Sequence, residues 1–346
     1  LFSHETLSFI NRLSRRFAPL RAALRRGEAH YRFVHGSALD LSRAWWTPPC
    51  APRNAWTLER RQIEDGLGLQ ALVSLTDHDS IEAPLSLRVL SESHETPISV
   101  EWTVPYQKTF FHIGVHNLPA ETAPGAMRQL ASFTRTPSVV LGELLEMLAQ
   151  NRETLLIFNH PCWDEKGIGY GQHLELAEEF IRRYRGWIHA LELNGLRPWS
   201  ENRAVIRLAT ELELPLISGG DRHALEPNTI LDLTNETTFA AYVQQVRNGH
   251  TDVLVTEQYS EPFPLRIVQN LEEIMQDHPD HGRGWVRWSD RVFYQCDDGD
   301  VRSLTTLFAN RVPGAVQMFV KAIGMMRRYS LRNSCRFAFP RQELVL

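Results

Sequence analysis

Cysteine is scarce. The four present (Cys50, Cys162, Cys296 and Cys335) lie far apart and form no Cys-x-x-Cys pair. This excludes a disulfide framework and a zinc knuckle. It is the cysteine usage of a reducing compartment, so a cytoplasmic location is expected. A dominant charge is also lacking. With 37 basic and 41 acidic residues the net charge is -4 and the pI about 6.4, which argues against a wholly basic nucleic-acid binder. Long apolar runs are missing. In the motif-rich half the longest stretch without Asp, Glu, Lys or Arg is Thr109 to Ala120. A bilayer crossing needs roughly 20 apolar residues, so no membrane association is expected. Residues 1–27 hold no apolar core followed by a small-residue cleavage site, and no leader is expected there. Internal repeats and low-complexity linkers are absent. At 43% apolar and 23% charged residues, the 346-residue chain has ordinary globular usage. That length suits two domains, or one barrel-sized domain with additions.

What is present is a rhythm. Residues 5–28 predict a helix, with Leu7, Ile10, Leu13 and Phe17 at three- and four-residue spacing and a break at Gly27. Six arginines fall between Arg12 and Arg26 without an acid among them. A solvated helix face explains them; a phosphate- or RNA-facing patch is the alternative. From about residue 30 to 225, short β-branched runs alternate with amphipathic stretches. The runs are Tyr31–Ser37, Ala71–Thr76, Ile98–Val104, Phe110–Leu118, Leu155–His160, Ile188–Leu193 and Pro215–Ser218. Helices are predicted over Leu58–Gly66, Leu141–Asn151, His173–Tyr184 and Glu201–Leu212. Such alternation argues for an α/β fold with a mostly parallel sheet, open or closed into a barrel. The third and fourth runs lack a helix between them and predict a hairpin. After Pro227 the pattern weakens. Thr238–Asn248 predicts a helix, Val286–Trp288 with Val292–Gln295 a short hairpin, and Leu304–Tyr329 a helix interrupted near Pro313-Gly314.

Nearly every predicted strand ends in a side chain able to bind a metal. In chain order these are His35 with Asp40, Asp77-His78-Asp79, Glu101, His112 and His116, Asn159-His160, Glu192, and Asp221 with His223. In a parallel α/β barrel the carboxyl ends of the strands meet at one mouth, so residues nearly 190 positions apart would converge. One buried histidine is more often a hydrogen-bonded core residue than a ligand. Asp221-x-His223 is stronger, because alternate residues of a strand share a face. The whole set is stronger still. So many imidazoles and carboxylates would be costly to bury without cations. Mixed imidazole and carboxylate ligation suits Zn, Mn or Fe rather than Ca or Mg.

In this order the residues resemble the PHP family, the polymerase-and-histidinol-phosphatase superfamily of metal-dependent phosphoesterases. The motifs that carry the resemblance are His35 with Asp40, Thr76-Asp77-His78-Asp79, Val100-Glu101, His112-Ile113-Gly114, His160-Pro161 and Gly219-Gly220-Asp221-Arg222-His223. They span roughly residues 30–235. The resemblance implies a distorted TIM-like barrel of seven β/α units over 30–235. It leaves residues 1–29 as an N-terminal helix and 236–346 as a C-terminal, mostly helical extension or accessory region. The family's first motif has two histidines. The five-residue spacing to Asp40 makes His35 the second and puts Phe33 where the first should be; the other register puts Ser37 in the second place but misplaces Asp40. We prefer the first register. Either way one ligand is missing.

The resemblance implies two or three divalent ions per chain, Mn, Zn or Fe. Their ligands would be His35, Asp40, His78, Glu101, His112, His160, Asp221 and His223. Glu101 is the expected bridge, and Glu101, His78 and Asp221 are the expected catalytic residues. Two ions about 3.5–4 Å apart can activate a water and clamp phosphoryl oxygens. Arg197, between Gly195 and Pro198, is placed to bind a phosphate, although a surface salt bridge would explain it equally well. His116 and Trp163 are expected to line the mouth. Trp163 could stack a nucleobase, although packing explains a single tryptophan as well. The expected activity is hydrolysis of a phosphate mono- or diester, with a nucleotide or short nucleic acid as substrate. An amidohydrolase-like barrel fits the motif order less well and lacks a core-strand lysine, since Lys108 and Lys166 fall outside the runs. A second class of reading remains: Phe33 marks a catalytically impaired domain serving as a binding or structural module.

Overall fold

A computed structural model describes residues 5–7, 14, 18–137, 141–279, 281–308, 314–326, 341 and 344. The predicted helix residues Ile10, Leu13 and Phe17, together with Pro313 and Cys335, lie outside the described residues. Two compact units divide the chain. One comprises Leu1–Ala51, His223–Leu225 and Pro264–Arg341; the other comprises Pro52–Arg222, Glu226–Phe263 and Gln342–Leu346.

The larger unit is built on a mixed five-stranded sheet. Its strands are β1 (Ile98–Tyr106), β2 (Thr109–Leu118), β3 (Leu155–Asn159), β4 (Ala190–Asn194) and β5 (Leu216–Gly219), in that spatial order. The predicted hairpin is there: β1 and β2 pair antiparallel, as do β2 and β3, while β3, β4 and β5 run parallel. A separate antiparallel pair joins β6 (Ile230–Leu233) to β7 (Asp252–Val255). No closed barrel is found among the described residues; the central sheet is open. The Ala71–Thr76 run forms no strand. It leads into a single parallel bridge between His78 and Glu101.

The helices of this unit follow their apolar spacing. They are α1 (Pro52–Leu67), α2 (Glu82–Arg88), α3 (Ala123–Arg135), α4 (Leu141–Ala149), α5 (Tyr170–Tyr184), α6 (Trp199–Leu212) and α7 (Phe239–Arg247). α3 buries Ala123, Ala126, Met127, Leu130 and Phe133; α5 buries Leu176, Ala177, Phe180, Ile181 and Tyr184. Both sets sit at the three- and four-residue intervals of one helical face. They cover the sheet face that carries Val100, Trp102, Phe111, Ile113, Leu156, Phe158 and Leu191. Trp102 is fully buried and donates its indole N–H to Thr134 Oγ1 at 3.0 Å.

The opposite sheet face has a different character. Its floor packs Leu155, Ile157, Ala190 and Ile217 against Tyr242, Val243 and Val246 of α7. Because strand side chains alternate, the same face carries Asn159, His112, Gly114, His116, Glu101 and Glu192. Register pairs His112 with Asn159, Gly114 with both Ile157 and Glu101, and Glu192 with Ile217. Apolar floor and polar rim therefore follow from one parity.

The smaller unit has a four-stranded antiparallel sheet of Glu5–Thr6, Ala44–Trp46, Val292–Gln295 and Val301–Ser303. Tyr31–Ser37, expected to be a strand, is not one. It overlaps the end of a helix spanning Ala18–His35. Ala23, Gly27 and Tyr31 fall on its buried side at four-residue spacing. Tyr31 packs with Leu41, Ala44, Tyr294 and Phe308. Tertiary burial thus overrides both the local β-rich composition and the helix break expected at Gly27. Among its described residues the region after residue 236 holds the helices Phe239–Arg247 (α7), Phe263–Ile274, Leu304–Leu307 and Gly314–Met326, together with β7 and the strands Val292–Gln295 and Val301–Ser303.

Two buried histidines of the larger unit make its stability depend on pH. His189 Nδ1 accepts the Leu156 N–H at 2.9 Å, which requires an unprotonated nitrogen. Burial, aided by Arg247, pushes its pKa from 6.5 down to about 4. Burial likewise pushes His116 down to about 4. A base whose folded pKa lies below its unfolded one gives its full stability above the unfolded value and loses it as pH falls. At pH 5 the loss is about 2 kcal/mol per group. We expect His189→Gln, whose amide oxygen can still accept the bond, to close on or overtake the wild type in urea midpoint between pH 6.5 and 4. Parallel midpoints across that range would refute this.

Candidate metal centre

The site begins with Glu101. Its backbone N–H donates to Asp77 O at 3.0 Å, and its carbonyl accepts the Asp79 N–H at 2.9 Å. This clasp sets His78 opposite Glu101. Asp79 completes the turn at φ 53°, and its carboxylate accepts the Thr103 N–H at 2.8 Å. His112 comes from the next strand. His160 comes from the residue just past β3, in the left-handed region at φ 29°, with its N–H donated to Glu192 Oε2 at 2.7 Å.

These side chains meet at the Glu101 carboxylate. Oε1 lies 3.2 Å from His160 Nε2 and 3.5 Å from His112 Nδ1, and Oε2 lies 3.9 Å from His78 Nδ1. His112 Nδ1 and His160 Nε2 are 3.2 Å apart. One ligand atom from each of His78, Glu101 and His112 falls within 4.8 Å of the others. Asn159 donates Nδ2 to Glu101 Oε1 at 3.1 Å.

Burial and charge set the protonation states. Burial works against the Glu101 anion, but the His78 charge and the His160 bond prevail and hold its carboxyl well below the usual range. Burial also opposes a charged His160, yet the Glu101 bond and the Asp221 charge push it up to about 9. Burial holds His112 well below its ordinary value. Glu192, buried beside them, is raised to about 7 by desolvation.

Asp221, Arg197 and Trp163 form a second polar cluster of this unit. Asp221 follows β5 at φ 46°. Its Oδ2 accepts from Arg197 Nη2 at 2.5 Å. The Arg197 guanidinium lies over the Trp163 ring, 3.9 Å from the centroid. Gly219 admits no side chain, because a Cβ there would come within 1.5 Å of Glu192 Oε1.

The structure thus gathers His78, Glu101, His112 and His160, and pairs Asp221 with Arg197 and Trp163. It does not place His116 at the rim. His116 pairs in register with Leu155 at the far end of β3, and its Nδ1 lies 2.8 Å from Ser74 Oγ. His35, Asp40 and His223 belong to the smaller unit. There His35 Nε2 lies 3.2 Å from Leu307 O, Asp40 caps a short turn by accepting the Ser42 N–H at 2.9 Å, and the His223 ring sits 5.6 Å from that of Trp46. Phe33 is 88% exposed on its helix. Asn159 enters the sequence pattern only beside His160, with no function of its own, and Glu165 does not enter it. Asn159 stands directly before His160 and could have been placed by parity with His112. Glu165, whose Oε2 comes within 4.0 Å of His112 Nδ1, sits on a loop that periodicity does not reach.

The donors fit a divalent cation. Two imidazoles and a carboxylate, close together and shielded, are the mixed set that Zn and related ions take. Among the described residues no helix is long and apolar enough to cross a membrane.

No protein-family model matches the chain, and no curated protein does. Solved structures share partial similarity. PsfC from Pseudomonas syringae PB-5123 is 17% identical, with a TM-score of 0.39 over 62% of this chain and 88% of that one. An amidohydrolase from Chromobacterium violaceum, with bound sulfate and no metal, is 16% identical, with a TM-score of 0.38 over 60% and 92%. A candidate metal-dependent phosphoesterase from Bifidobacterium adolescentis is 13% identical, with a TM-score of 0.34 over 58% and 92%.

Proposed function

We propose that this chain is a metal-dependent phosphoesterase of the PHP type that hydrolyses a phosphate mono- or diester, with a nucleotide or short nucleic acid as the substrate class. The observation that carries the reading is the buried His78–Glu101–His112 group, with His160 against the same carboxylate. A buried carboxylate ringed by imidazoles is a donor set that suits a divalent cation. In this reading the open sheet, extended by the His78–Glu101 bridge on one side and by the Ser218 N–H bond to Asp232 on the other, is an incompletely closed barrel.

His78, Glu101 and His112 would hold the cation, with His160 beside them. A divalent ion there supplies Lewis-acid polarisation of a phosphoryl oxygen and a nucleophilic water near neutral pH. The remaining work belongs to the chain. Asn159 keeps Glu101 Oε1 in place. Arg197 offers donors to a phosphate in a plane fixed by Trp163 and Asp221. The partly exposed Trp163 presents an aromatic edge to a base.

The binding-module alternative has one observation in its favour: Phe33 and His35, the expected first motif, lie on a helix and not at a strand end. Metal content and turnover separate the two readings.

We expect His78→Ala to abolish metal-dependent hydrolysis of nitrophenyl phosphates with an unchanged circular dichroism spectrum. Wild-type turnover in that variant would reject the site. For Arg197→Ala we expect KM to rise about tenfold, with a smaller change in kcat, the pattern of a lost substrate contact. Lysine should restore little, because it cannot reproduce the planar fork. An unaltered KM would remove Arg197 from the substrate site.

A further inference from the structure

The loop between His160 and α5 carries more than one group of the site, and it is built rigidly. Trp163 N–H donates to His160 O at 2.9 Å, and Glu165 N–H donates to Trp163 O at 3.0 Å. The Asp164 carboxylate accepts three successive amides, those of Gly167, Ile168 and Gly169, at 2.8, 3.0 and 2.8 Å. Gly167 and Gly169 take the left-handed φ values of 74° and 107° that this wrap requires. His173 Nε2, on α5, lies 3.0 Å from Pro161 O. The Arg197 guanidinium presses on the ring of Trp163.

A loop so fixed gives meaning to where its next side chain lies. Asp164 supplies the backbone clamp of this loop. Glu165 instead brings Oε2 within 4.0 Å of His112 Nδ1, while Glu101 Oε1 approaches the same nitrogen to 3.5 Å. Two carboxylates from different parts of the chain converge on one ring nitrogen. The His112 side chain is buried, whereas that of Glu165 is 35% exposed. Glu165 therefore approaches His112 from a more exposed side than Glu101 does.

We propose that Glu165 is a further protein ligand of the cation held by His78, Glu101 and His112, delivered by the 160–169 loop. The inference rests on the metal-centre reading above and deepens it. His78, Glu101 and His112 make an open site; a loop carboxylate adds a fourth donor, and an ion of five or six coordination keeps a position for the water that the proposed reaction needs.

The test uses the whole chain titrated with cobalt(II), read by its visible absorption and by competition with a chelator. In Glu165→Gln, which keeps the size of the side chain and removes its charge, we expect the cobalt dissociation constant to rise about tenfold or more. We also expect the visible bands to shift as the coordination changes. Glu165→Asp, one methylene shorter, should fall between. Its one-third exposure keeps the fold safe, which equal melting temperatures without metal would verify. Wild-type affinity and an identical spectrum in Glu165→Gln, with binding lost in His78→Ala, would overturn this proposal and leave the metal centre standing. A folded wild type that takes up no cobalt would overturn both.

Discussion

The buried carboxylate of Glu101 is the constraint around which the larger unit is arranged. An ionised side chain taken out of water costs several kcal/mol unless charges and hydrogen bonds compensate it. Here the compensation comes from three separate places in the sequence. His78 arrives by a backbone clasp on Glu101 itself, His112 from the paired strand, and Asn159 and His160 from the strand beyond. None of these positions is independent. A one-residue slip of β2 would turn His112 to the opposite face, among the aromatic core, and bring an apolar neighbour to the carboxylate. The hydrogen-bond register and the charge cluster therefore specify each other.

Backbone strain gathers at the same place. Six non-glycine residues among those described have positive φ, and three of them, Asp79, His160 and Asp221, belong to the site or its turns. Such conformations cost of order 1–3 kcal/mol each and persist only where the surroundings enforce them. The enforcement is visible: the Asp79 carboxylate holds the Thr103 amide, Glu192 holds the His160 amide, and Arg197 holds Asp221. The glycines play the complementary part. A Cβ on Gly114 would come within 2.8 Å of Asn159 Oδ1 and displace the amide that holds Glu101.

Much of this was legible in the sequence, for a physical reason. The hairpin, the parallel strands and four helices are spelled in runs whose period matches their local structure. Parity then places His112, Glu101 and Asn159 together. What was not legible depends on distant packing. Tyr31–Ser37 has the composition of a strand, yet the upstream Ala- and Leu-rich turns carry a helix through it, and Tyr31 finds its burial against Tyr294, far away in sequence. His116 has the right parity but the wrong depth. Four residues along a strand is about 13 Å, and only the register with Leu155 shows which end it occupies. Barrel closure likewise depends on edges that no local pattern specifies.

The arrangement around Arg197 bears on how the site treats an anion. A lone guanidinium near buried imidazoles would repel any positive charge they carry, and Arg197 does lower the proton affinity of His160. Asp221 opposes that effect from the same pair, because its charge raises His160 while its oxygen neutralises Arg197. At His160 the two charges therefore act in opposite directions. Under the proposed function, a phosphate bound at Arg197 would meet a guanidinium held in plane by Trp163. The loop that carries Trp163 also carries His160 and Glu165, so the groups proposed to meet an anion and a cation share one segment. Displacing that segment would disturb both at once.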